Sequence, residues 1–93
     1  MDWTALLPDA RDPSYPLISK IVADLARDHA IWCDKVREFE LASAASIAGE
    51  PSETAEALQR ELQALAVDIE SYVAEINYLG VELDVRQLFS EAR

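Results

Sequence analysis

The chain has 93 residues, enough for one domain but near the size at which a single core struggles to bury enough of its own surface. With 51% apolar residues, only two Gly and four Pro, and Ala, Leu, Glu, Asp and Ile in excess, the composition is that of long helices rather than disorder. Eight basic residues against eighteen acidic ones leave a formal charge of -10, which repels a phosphate backbone and an anionic membrane surface and disfavours both as partners.

Residues 1–16 carry Pro8, Pro13 and Pro16, so the opening segment is expected to be an arm with at most one short helical turn around Trp3, Leu6 and Leu7. From there the apolar spacing becomes regular. Ile18, Val22, Leu25, His29, Trp32, Val36 and Phe39 alternate steps of four and three, and His29 is the one polar member. Ser14 or Asp12 suits the cap of this first helix, and Pro16 suits its first turn.

Gly49, Glu50 and Pro51 mark a turn of the length that joins antiparallel helices. Ser52 is the expected cap of a second helix, whose stripe reads Ala55, Leu58, Leu62, Leu65, Ile69, Tyr72, Ile76 and Leu79. Gly80 followed by Val81 ends it, the glycine supplying a left-handed residue and the valine folding back toward Ile76. In the tail, residues 81–93, Val81, Glu82, Leu83, Asp84 and Val85 alternate like a short strand, while Asp84 with Gln87 forms a capping box for a short helix through Leu88 and Phe89, the reading favoured here.

The spacing therefore predicts an all-α protein, a long antiparallel hairpin over residues 17–80 with helices at about 16–47 and 52–79 and a coiled-coil-like seam. A second apolar stripe, Ala23, Ala26, Ala30 and Cys33, lies beside the first, with Ala66, Val67, Val73 and Ala74 as its counterpart on helix two. Small side chains allow close approach of another helix, so two hairpins are expected to pair as a homodimeric four-helix bundle; the alternative is that the arm and tail complete the core of a monomer.

The residues offer little chemistry. Paired-metal bundles project glutamates and a Glu-x-x-His spacing from their seams, whereas these seams hold no carboxylate and Ala26 stands three residues before His29. His29 and Cys33, four apart, share a face but make only half a metal site. No Gly-rich phosphate loop or serine elbow is present, so no catalytic, cofactor-binding or metal residue is assigned and the chain is read as non-enzymatic. The alternative is a small ligand- or metal-binding bundle built on His29, Cys33 and the aromatics Trp32 and Tyr72. Helix two sets Arg60 against Glu53, Glu56, Glu61, Asp68, Glu70 and Glu75, an acidic face open to a protein partner. A lone Cys33 and the lack of a basic-then-apolar leader point to a cytoplasmic setting.

Tyr15-Pro-Leu-Ile-Ser-Lys-Ile-Val-Ala-Asp-Leu25, Trp32, Val36-Arg-Glu-Phe-Glu40 and Glu75-Ile-Asn-Tyr-Leu-Gly-Val-Glu-Leu83 resemble the bacterial proteins grouped as domain of unknown function 2203. Leu79-Gly80-Val81-Glu82-Leu83 is the nearest match, and the resemblance spans about residues 15–84. Members continue with a Gly-Leu-Val-Asp-Phe-Pro run where this chain has Val85-Arg-Gln-Leu-Phe-Ser-Glu-Ala-Arg93. The resemblance implies a bacterial helical hairpin and carries no activity to transfer.

Overall fold

The structure, a computed structural model, describes residues 2–45 and 53–90. The described residues form a 3-10 turn at Trp3–Leu6 and three helices: α1 (Tyr15–Ala45), α2 (Glu53–Tyr78) and the short α3 (Val85–Ser90). The expected turn at Gly49, Glu50 and Pro51 and the Ser52 cap lie outside the described residues.

Local chemistry sets most of the element ends. Asp12 Oδ1 accepts from Ser14 N at 2.9 Å and from Ser14 Oγ at 2.7 Å, and Ile18 N donates to Ser14 O at 2.9 Å, so Asp12 and Ser14 together start α1. Pro16 sits in the first turn, where its missing amide hydrogen leaves no bond unmade. At the end of α2, Val81 N donates to Ile76 O at 2.9 Å while Gly80 holds φ +95°, the six-to-one closure of a left-handed cap. An alanine there would meet no atom within 4 Å, so its penalty is backbone strain of about 1–2 kcal/mol. Asp84 caps α3 by accepting from Arg86 N at 2.9 Å; Gln87 enters through its backbone N, which donates to Asp84 O at 3.1 Å.

α1 and α2 pack against each other along both predicted seams, every described member of which is buried or half-buried. The molecule is a rod, 56 Å long and 19 by 17 Å across, with a radius of gyration of 16.0 Å. A compact chain of this length would have a radius of about 12 Å.

The tight core occupies one end of the rod. Ile21, Leu25, Ile69, Val73, Ile76, Leu83 and Leu88 form a buried cluster, against which Trp3, Leu6, Trp32, Tyr72, Leu79, Val81, Val85 and Phe89 pack. The arm and the tail thus fold back over the base of the hairpin. Nearer the turn, Val36, Phe39, Leu62 and Leu65 are half-buried, and Leu58 is the one described residue between 53 and 65 that is fully covered.

Candidate functional site

His29 is the polar position in the α1 seam, and the structure shows what it does there. It is 7% exposed, and its Nε2 lies 2.8 Å from the carbonyl oxygen of Leu88, to which it donates. Trp3 from the arm meets the ring edge-on, at a centroid distance of 5.5 Å and an interplanar angle of 69°. One imidazole therefore ties both ends of the chain to α1.

Asn77 fixes the tail from α2. Its amide brackets Leu83, with Leu83 N donating to Oδ1 at 3.1 Å and Nδ2 donating to Leu83 O at 3.3 Å. That bracket replaces, for one residue, the pairing a neighbouring strand would give. Phe89 then stacks at a tilt on Trp32, with ring centroids 4.9 Å apart.

The four side chains suggested for a ligand or metal pocket are not gathered into one. Cys33 Sγ sits 3.7 Å from His29 Nε2 and 3.9 Å from Nδ1, but Nε2 already serves the Leu88 carbonyl. Trp32 turns to Phe89, and its buried Nε1 has no acceptor among the described residues. Tyr72 lies toward the aspartates: burial first, then Asp28 and Asp24, push its hydroxyl pKa above the usual value of 10.0. Among the described residues no group of three or more His, Cys, Asp and Glu is placed to hold a metal ion. A groove at the base of the hairpin is lined by Leu17, Ile21, Ala74, Glu75, Tyr78 and Leu79, and a second, more polar one by Leu6, Asn77, Glu82, Leu83, Asp84 and Gln87; His29, Cys33, Trp32 and Tyr72 line neither.

Of the predicted second stripe, Val73 belongs to the core at 4% exposure, because the tail covers that part of α2. Ala26, Cys33 and Ala66 are half-buried, and Ala23, Ala30, Val67 and Ala74 are exposed. Of the apolar residues off the seam, Ile21, Ile31 and Leu41 are expected from sequence to be covered by a second hairpin. Ile21 is buried within the chain at 6%, Ile31 and Leu41 are exposed, and the burial of Asp28, at 8%, was not foreseen. Asp28 accepts from Arg27 Nε at 3.2 Å, which supplies the partner a buried carboxylate needs.

Nearer the turn, Lys35 Nζ reaches Glu61 Oε2 at 2.7 Å, tying α1 to α2. That hydrogen bond raises the lysine above its ordinary pKa. No family model, curated protein or solved structure matches the chain. Among the described residues no helix is long and apolar enough to cross a membrane.

Proposed function

We propose that the protein is a non-enzymatic, homodimeric interaction module: two hairpins pair into a four-helix bundle that leaves acidic faces for a protein partner, in the cytoplasm of a bacterium. The observation that carries this reading is the surface area. The chain exposes 6326 Å², whereas a compact monomer of 10.3 kDa exposes roughly 5,350 Å², so about 1,000 Å² is in excess. A standard two-fold interface covers about 800 Å² per partner.

Exposed apolar residues supply the contact. On α1, Ala23, Ala30 and Leu41 follow one another at seven and eleven residues, spacings that keep a single helical line, and Leu41 is 68% exposed. Val36 and Phe39 lie on the seam side of α1, about 140–160° round the helix from that line, and are not part of this contact. The resemblance to the bacterial domain of unknown function 2203 is kept as part of this proposal, for the hairpin alone.

Light scattering on the purified chain tests the reading. The expected mass is about twice 10.3 kDa, and both Ala30→Glu and Leu41→Asp should halve it without loss of helical circular dichroism. A fully helical wild-type monomer at high protein concentration would refute it.

A further inference from the structure

Between α1 and α2 at the base of the hairpin runs a groove of about 420 Å³. Leu17, Ile21, Ala74, Tyr78 and Leu79 give it apolar walls, and Glu75 is its one charged lining residue. Leu17 is 52% and Tyr78 90% exposed, so both stand at the surface as lips of the groove. No residue of the 3-10 turn or of α3 lines it.

The groove continues into an acidic shelf along the same face. On α1, Leu17, Ile21, Asp24 and Asp28 follow at four, three and four residues; on α2, Asp68, Tyr72, Glu75 and Leu79 do the same. The carboxylates of Asp28, Asp24 and Asp68 all bear on the Tyr72 hydroxyl, with Arg27 opposing them. Arg27 contacts Asp28 at 3.2 Å and Asp24 at 3.5 Å, and its side chain is 61% exposed. Four carboxylates, counting Glu75, therefore share this face with Arg27 as the cation in contact.

The geometry points to one occupant: a basic amphipathic helix of a second protein, its apolar anchor in the groove and its Lys or Arg side chains over the Tyr72 shelf. At ~1.5 Å per residue the shelf lies about 10–16 Å from Leu17 along the helix, so anchor and cations stand two to three turns apart on the partner. A second copy of this chain fits the face poorly, since it brings another formal charge of -10 to a surface already rich in carboxylates. This inference rests on the interaction-module reading and names the partner, but it uses a different face from the Ala30 line.

Calorimetric titration of the full chain with a synthetic 14-residue helical peptide tests it, the peptide carrying two leucines at one end of a face and three lysines two turns on. Amide NMR shifts should concentrate at Leu17, Ala74 and Tyr78. Leu17→Asp and Tyr78→Asp should each weaken binding at least tenfold, Asp68→Asn severalfold, and added salt should weaken it further. Arg27→Gln should tighten binding severalfold by removing the internal competitor, and Leu41→Asp should leave it unchanged. Undiminished binding to both Leu17→Asp and Tyr78→Asp, equal binding of a peptide with glutamates for lysines, or no binding at all would each overturn the proposal. Repeating the titration on Ala30→Glu separates the two readings: binding retained by a chain that never dimerises removes only self-association, and a normal dimer with an inert groove removes only this inference.

Discussion

The two halves of the hairpin are built from the same pattern of apolar steps yet reach different degrees of burial. At the base, Ile18, Leu25, Ile69 and Ile76 are at most 1% exposed because four pieces of chain converge there: α1, α2, the arm and the tail. Toward the turn only α1 and α2 meet, and Val36, Phe39, Leu62 and Leu65 stay half-covered. Leu58, 7% exposed, is the exception there, so the two-helix seam leaves most but not all of its side chains open on one flank, and a third layer completes the burial at the base. The base supplies that layer from its own chain. Among the described residues no third element packs over the other half.

Substitution of core residues should expose this asymmetry most strongly. Ile76→Ala or Leu25→Ala at the base should cost about 2–5 kcal/mol and largely unfold a domain of this size, whereas Leu62→Ala near the turn should cost about 1 kcal/mol in dilute solution. Urea titrations followed by circular dichroism measure both, and equal costs would erase the distinction between the halves.

The clasp comes next. His29→Ala leaves the buried Leu88 carbonyl without its donor and should cost about 2–3 kcal/mol; Asn77→Ala, losing the Leu83 bracket, should cost about 1–2 kcal/mol. In both variants amide exchange should rise first in α3 and the arm. Trp32→Phe should be milder, under about 1 kcal/mol, because the indole N–H it removes has no described acceptor.

The pH dependence is small and has two signs. Tyr72 is raised by burial and neighbouring aspartates, so its contribution is complete below pH 10.0 and lost as pH rises through the higher folded value. Lys35, raised by its bond to Glu61, acts in the same direction from above its ordinary 10.5. Asp12 and Asp84 are lowered by hydrogen bonds from Ser14 and from Arg86, and their help is present above 3.8 and lost as pH falls through the depressed value. Melting temperature should therefore decline beyond pH 10, and Tyr72→Phe should flatten part of that decline.

How much of this was legible in the sequence follows from the range of the interactions. The seams and the Gly80-Val81 stop were readable because spacing and a left-handed glycine are local signals. The short tail helix was also readable, although Asp84 caps it through Arg86 N rather than through a reciprocal bond with Gln87. His29 was legible as the one polar seam member, needing a side chain or a carbonyl to satisfy it, but that its partner is the Leu88 carbonyl, 59 residues away, is not encoded in any periodicity. Ile21 and Val73 were read as apolar positions off the seam awaiting a second hairpin, but they are buried within the chain's own core, and the burial of Asp28 was missed, because these depend on neighbouring side chains and on where the tail lies. Asn77, three residues before Gly80, is a signal that could have been used, since an amide beside a helix end is well placed to bind the chain that turns back past it.

Hydrogen exchange measured residue by residue at low and high protein concentration tests the division of the hairpin most directly. At concentrations where the chain is monomeric, amides near Leu25, Ile69 and Ile76 should exchange at least tenfold more slowly than those near Val36, Leu62 and Leu65, and raising the concentration should slow the second group alone. Uniform protection along both helices, unchanged by concentration, would contradict the account.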